Sequence, residues 1–252
     1  PTVLLSAPAT LVNAAFTATI TFSENVTDFV VADISASNAT LSDFSGSGTS
    51  YTVLVTPTTD GTVTLDVVNA VAVDVAGNSN NAAGQLVVTY DATAPTVALT
   101  TAATLVNEPF IVTATFSETV TGVELTDFVV TNGTAGNLAA LGNTYSVLIT
   151  PTADGDVTVN MAAGAASDAA GNTSTAAVEL TTSADTTGAT TTLTGVPSSA
   201  ITAFDVTITF SENVSTLTSA DITVTNGVVT QLLLGFFISK NVFEGNGLRV
   251  PQ

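Results

Sequence analysis

A repeat of 94 residues constrains this chain more than any other feature. Phe22-Ser23-Glu24-Asn25-Val26 returns as Phe116-Ser117-Glu118-Thr119-Val120 and again as Phe210-Ser211-Glu212-Asn213-Val214, with the same offset both times (116 − 22 and 210 − 116). Asp33-Ile34, Asp127-Phe128 and Asp221-Ile222 keep that spacing, as do Tyr51/Tyr145, Asp60-Gly61/Asp154-Gly155 and Ala76-Gly77-Asn78/Ala170-Gly171-Asn172. The connecting stretch repeats as well, Asp91-Ala92-Thr93-Ala94-Pro95 aligning with Asp185-Thr186-Thr187-Gly188-Ala189. A period this long without insertions describes whole domains in series, not the roughly 20–50-residue turns of a solenoid.

Inside each unit the period is two. Phe16, Ala18, Ile20 and Phe22 alternate with Thr17, Thr19 and Thr21, and Phe110 to Phe116 and Phe204 to Phe210 do the same. Such alternation sends one face into a core and a Thr-lined face to water. Turn signals at Gly46-Ser47-Gly48, Asp60-Gly61 and Ala76-Gly77-Asn78 divide the unit into about seven short strands, the pattern of an all-β Greek-key sandwich. The expected domains are residues 1–91, 92–185 and a truncated third unit, 186–230. Phe16, Phe22, Phe110 and Phe116 should be buried, with Thr19 and Thr113 facing outward. Beyond Gln231 the repeat is lost, and residues 231–252 read as a divergent tail, either locally disordered or paired with another chain.

Charge removes several function classes. Of 252 residues 21 are acidic, and Lys240 and Arg249 are the only basic ones, for a net charge of −19. Nucleic acid and anionic membrane surfaces need clustered cations and are excluded as direct partners. No run approaches the roughly 18 apolar residues of a membrane span. With no His and no Cys there is no Ser-His-Asp triad, Cys-His pair or usual zinc site. A carboxylate pair of glycosidase type is disfavoured because the acidic positions recur beside turns in every repeat. The expectation is a chain with no enzymatic role. Trp is absent, which argues against sugar stacking, and runs such as Thr190-Thr191-Thr192-Leu193-Thr194 follow from β-propensity rather than from a flat surface-binding array. Pro1-Thr2-Val3 opens no signal peptide, so the chain reads as beginning mid-protein.

Without disulfides, and with no lysine before Lys240 for an isopeptide link, bound calcium is the staple left available. Strand direction in a sandwich returns the strand ending at Glu24 and the one ending at Asp74 to the same pole. Glu24, Asp74 and Asn78 should therefore converge in the first unit, and Glu118, Asp168 and Asn172 in the second, where Asp91 enters from the preceding linker. Three carboxylates and an amide form the oxygen-rich cage calcium prefers. At the next junction Asp185 and Glu212 remain, but their partners in the last turn are missing. The alternative is that Asp-x-Ala-Gly-Asn is only a turn, Asp and Asn bonding their own backbone.

Phe-Ser-Glu-x-Val, Val-Thr-Asn-Gly (130–133 and 224–227), Thr-Pro-Thr-x-Asp-Gly and Asp-x-Ala-Gly-Asn together resemble the bacterial immunoglobulin-like (Big-type) tandem repeats of giant surface adhesins, including biofilm-associated and RTX-type proteins. The resemblance implies immunoglobulin-like sandwiches that act as spacers in a secreted or cell-surface protein, with the binding module elsewhere. Their partners would be neighbouring repeats in the same chain, other copies, or cell-surface components. Two other roles stay open: a glycan- or surface-binding repeat module, and a subunit of an extracellular filament, sheath or surface layer.

Overall fold

The computed structural model describes residues 1–233 in full and the backbone of Phe243–Val250. The chain divides into two compact units, Pro1–Asp185 and Thr186–Gln252.

In repeat 1 the alternating sequence forms β1 (Val3–Ser6), β2 (Leu11–Val12), β3 (Phe16–Thr27), β4 (Ile34–Ser37), β5 (Ala39–Pro57), β6 (Gly61–Val67), β7 (Val73–Asp74) and β8 (Leu86–Tyr90). One sheet runs β1-β3-β5 with β7 also on β3, and the other runs β2-β8-β6-β4. The N-terminal stretch changes sheet partway along: β1 pairs antiparallel with β3, whereas β2 lies parallel to β8. Repeat 2 has the same plan with β9 (Val97–Thr100), β10 (Leu105–Val106), β11 (Phe110–Phe116), β12 (Phe128–Thr131), β13 (Gly133–Leu141), β14 (Thr144–Pro151), β15 (Gly155–Met161) and β16 (Leu180–Ala184). Its sheets run β13-β14-β11-β9 and β10-β16-β15-β12.

Each pair of sheets closes over its own apolar cluster. Phe16, Ala18, Ile20 and Phe22 lie in the first with Val53, Val63 and Leu65; Phe110, Val112, Ala114 and Phe116 lie in the second with Val147, Val157 and Met161. Phe22 and Phe116 sit edge-on to Tyr51 and Tyr145, with ring centroids 5.9 Å and 5.7 Å apart. Thr19 and Thr113 take the opposite face. They are half-buried rather than fully exposed, because β3 and β11 are central strands flanked on both sides.

The recurrent Asp33, Asp127 and Asp221 close single 3-10 turns, Val31–Asp33, Leu125–Asp127 and Ser219–Asp221. Each carboxylate accepts the backbone N–H three residues earlier, at 2.8, 2.7 and 2.8 Å. Each of these three acids has a conformational role within its own turn.

The second unit holds β17 (Thr191–Thr194), β18 (Phe204–Phe210) and β19 (Phe243–Val250) in one antiparallel sheet. Val206 is its buried centre, with Phe204, Ile222, Val224, Val229 and Leu232 packed around it. Residues 222–225, the counterparts of β4 and β12, carry no strand; among the described residues nothing corresponds to the β6 or β15 they would pair with. The tail requires a correction. Phe243–Val250 pairs with β18 in the same chain, Phe204 opposite Val250 and Phe210 opposite Phe243, on the flank that β14 takes beside β11. The free edge of β18 offers backbone partners that an extended segment can join without the repeat's own motifs, here with one register shift between Val206 and Ile208. The rest of the tail expectation, residues 234–242 and 251–252, falls outside the described residues.

Candidate metal centre at the first repeat junction

Three segments far apart in sequence meet where the linker enters repeat 2. Glu118 sits just past the end of β11. Its turn is fastened at both ends: Thr96 N–H donates to Ser117 Oγ (3.0 Å) and Ser117 N–H to Thr96 O (2.9 Å). The buried Tyr145 hydroxyl donates to Val120 O at 3.0 Å. Thr121 and Ser167 then exchange backbone hydrogen bonds at 2.8 and 2.9 Å, which sets the Glu118 turn beside the turn that begins with Asp168.

Asp168 is buried, and one of its oxygens accepts the N–H groups of Gly171 (2.7 Å) and Asn172 (2.8 Å). Its other oxygen accepts Asn172 Nδ2 at 2.8 Å. Gly171 turns the chain at φ +94°, a conformation that strains residues with a Cβ. Asp91 continues the line of β8, its N–H donating to Val12 O of β2 at 3.0 Å, and its own carbonyl accepts Asn172 Nδ2 at 2.9 Å.

As a result one carboxylate oxygen from each of Asp91, Glu118 and Asp168 lies within 4.8 Å of the others. Asp91 and Glu118 are half-buried and Asp168 is buried. Burial, ahead of the charges of Asp168 and Asp91, pushes the Glu118 carboxyl above its ordinary value. Burial also acts upward on Asp168, but the hydrogen bonds from Asn172, Gly171 and Ala170 together hold it below the ordinary value. A carboxylate has about four lone-pair positions. The turn's backbone donors gather on one oxygen of Asp168, and Asn172 Nδ2 alone takes the other, which keeps a lone pair toward the cluster. Asn172 stands at the same place but turns its nitrogen to two acceptors, so it acts as a brace and supplies no oxygen here. The turn reading holds for Asp168 and Asn172, and the same motif brings Asp168 up to the Asp91 and Glu118 carboxylates.

The other sites predicted from sequence divide differently. At the pole of repeat 1, Asp74 repeats the turn, accepting Ala76 and Asn78 N–H at 2.9 and 2.8 Å and Asn78 Nδ2 at 2.8 Å. Glu24 lies 3.4 Å from the Pro1 ammonium. Hydrogen bonds from Asn78, its side chain first, lower the Asp74 carboxyl. Asp185 closes the first unit, its N–H donating to Val106 O at 2.8 Å; Glu212 belongs to the second unit, after β18.

Two contributors were not found by sequence reasoning. The Asp60 carboxylate accepts Ala92 N–H at 2.8 Å and the Thr93 hydroxyl, so repeat 1 grips the linker one residue past Asp91. Thr93 and then Ala92 hold the Asp60 carboxyl below its ordinary value. The signal was present, since Asp60-Gly61 recurs as Asp154-Gly155, but an Asp before a Gly reads first as a turn. Asn80 is buried and its oxygen accepts Val71 and Ala72 N–H, both at 2.9 Å, pinning the segment ahead of Asp74. Its counterpart is Ser174, whose Oγ accepts Ala166 N–H at 3.2 Å, and that change of residue type hid it.

The sequence profile of the bacterial Ig-like domain matches residues 1–90 and again residues 91–184. Among solved structures the chain is similar to the crystal structure of invasin, described as a bacterial integrin-binding protein, at 16% identity and a TM-score of 0.39, covering 98% of this chain and 54% of that one. It is also similar to the Yersinia pseudotuberculosis adhesin InvE, at 13% identity and a TM-score of 0.28, covering 73% of this chain and 58% of that one. The chain thus spans a little over half the length of each solved protein. A search of curated proteins returns no match.

Proposed function

The chain belongs to the bacterial Ig-like domain family, and from that membership we propose that its repeats are spacer modules in the stalk of a bacterial cell-surface adhesin, stiffened by calcium where repeat 1 meets repeat 2. The observation that carries this reading is the meeting of Asp91, Glu118 and Asp168, one from the linker and two from separate turns of the next repeat. The donor set fits the ion. Three hard carboxylate oxygens crowd together; burial first, and then the charges of Asp168 and Asp91, raise Glu118, and a divalent cation would relieve the charge part. Asp91, Glu118 and Asp168 would hold it, with the Asn172 amide keeping Asp168 and the linker in place. When bound, the ion supplies a charge bridge between linker and domain. The fold then does the rest, since a domain whose entry strand is fixed cannot pivot freely on its predecessor.

An extracellular, surface location accords with this reading, as does the shortage of cations that would draw the chain to nucleic acid or anionic lipid. A stalk also accounts for an acidic turn copied with the repeat, Asp74 to Asn78 and Asp168 to Asn172. The test is thermal unfolding of the full chain with calcium and with chelator. Extracellular modules bind calcium near 10⁻⁴–10⁻³ M, so tenfold excess should add about 1.4 kcal/mol. Asp168→Ala should remove that calcium-dependent gain, whatever it does to the metal-free protein. A gain of equal size in Asp168→Ala would sink the proposed site.

A further inference from the structure

Val-Thr-Asn-Gly in repeats 2 and 3, and Ala-Ser-Asn-Ala in repeat 1, end at a turn whose asparagine is left-handed: φ is +58° at Asn38, +54° at Asn132 and +60° at Asn226. In the first two repeats the side chain is tied down. Asn38 Nδ2 donates to Thr59 O at 2.7 Å, and its Oδ1 accepts the Thr58 hydroxyl (2.8 Å), the Thr59 hydroxyl (2.8 Å) and Thr59 N–H (3.2 Å). Asn132 Nδ2 donates to Ala153 O at 2.9 Å and its Oδ1 accepts the Thr152 hydroxyl at 3.1 Å. Backbone bonds from Thr58 to Asn38 O (3.1 Å) and from Thr152 to Asn132 O (3.2 Å) close both knots. The third repeat diverges where those threonines would fall. Asn226 is exposed, and among the described residues its amide has no hydrogen-bond partner.

We propose that Asn226-Gly227 is a site of spontaneous covalent modification, an asparagine that converts to isoaspartate and aspartate while its counterpart Asn132-Gly133 is protected by the fold. The chemistry needs no partner beyond water. The Gly227 backbone nitrogen gives up its proton to solvent and attacks Cγ of Asn226. The new N–Cγ bond closes a succinimide ring as the Cγ–Nδ2 bond breaks and ammonia leaves. Water then opens either ring carbonyl, giving aspartate or, with one more atom in the backbone, isoaspartate. Nothing is oxidised or reduced. Glycine lets the attack proceed because no Cβ crowds the nucleophile. Repeat 1 has Ala39 at that position, which adds steric hindrance to the hydrogen-bonded knot.

Reaching the ring geometry requires Asn226 to rotate out of its left-handed turn. Asn132 must break three hydrogen bonds to do so, a local opening that slows reaction in proportion to how rarely it occurs. The product adds a carboxylate to a chain already at −19 and remodels the turn at the end of residues 222–225.

The experiment incubates the folded full chain at mildly alkaline pH and tracks separately by mass the peptides containing Asn132, Asn226 and Asn246, the last because Asn246-Gly247 is the remaining Asn-Gly pair and must not be counted with Asn226, with enzymatic methylation to count isoaspartate. Asn226 should convert at least about tenfold faster than Asn132. Gly227→Ala should slow Asn226 and leave Asn132 unchanged. In denaturant Asn132 should accelerate to the rate of Asn226, showing that the fold had protected it. Equal or faster loss at Asn132 in the folded chain overturns the proposal. So does an Asn226 that keeps its amide over the time the denatured chain loses that at Asn132.

Discussion

At Glu118 two effects act in the same direction. Partial burial and the neighbouring charges of Asp168 and Asp91 both disfavour its ionised form. Its folded pKa lies above the unfolded one, so the stability tied to its protonated form is fully present at low pH and is lost as pH rises through the folded value. Asp168 has the opposite sign: its hydrogen bonds lower the folded value, so its contribution is present at neutral pH and lost as pH falls through that value. Glu118→Gln therefore separates repulsion from ligation. In chelator near neutral pH it should raise the melting temperature, by about 2–4 °C for each kcal/mol of repulsion removed. In acid, where Glu118 is protonated, the variant and the parent chain should melt together. With calcium present the same substitution should reduce the gain from the ion. A variant that melts lower than the parent in chelator at neutral pH would show that the cluster is not repulsive.

At the level of elements, the strands arise from alternation because each central strand has one apolar and one threonine face. Phe116 is 1% exposed in the second core, and Phe116→Ala should cost about 3–5 kcal/mol in denaturant unfolding. Thr113→Ala, on the outer face of the same strand, should stay within about 0.5 kcal/mol. Similar losses for both would mean that the two faces of β11 are not distinguished as described. The approach of Glu118 to Asp168 was legible too, since it depends only on two strands returning to one pole. What escaped the sequence was side-chain choice within that meeting. Nothing in Asp-x-Ala-Gly-Asn tells that Asn172 turns its nitrogen, not its oxygen, toward Asp168 and Asp91, because an amide has both. The pairing of β19 with β18 escaped for another reason: an apolar tail without the repeat's motifs has no register to read, and a ladder accepts any extended chain that alternates acceptably.

For the whole molecule, the question is whether a short linker is a tether or a joint of fixed angle. A free stretch such as Asp91–Pro95 would leave neighbouring domains loosely coupled. Here both sides hold it: Asp60 takes Ala92 and Thr93 from the repeat 1 side, and Asn172 takes the Asp91 carbonyl from the repeat 2 side, while Thr175 N–H donates to Pro95 O at 2.9 Å. These contacts fix the path of the linker, and they leave the repulsion among Asp91, Glu118 and Asp168 standing. Calcium and Asp60 should then act on different parts of the joint. Chelation should broaden the distribution of interdomain distances seen by small-angle scattering, with each sandwich still folded by amide exchange. Asp60→Ala should broaden that distribution even with calcium bound, and should speed exchange at Ala92 by about tenfold while amides in β6 and β15 keep their protection. If Asp60→Ala leaves scattering unchanged with and without chelator, the hydrogen bonds to Asp60 do not govern the joint. If chelation alone leaves it unchanged, the three carboxylates meet without serving as a lock, and any stiffness of this joint must come from the linker contacts instead.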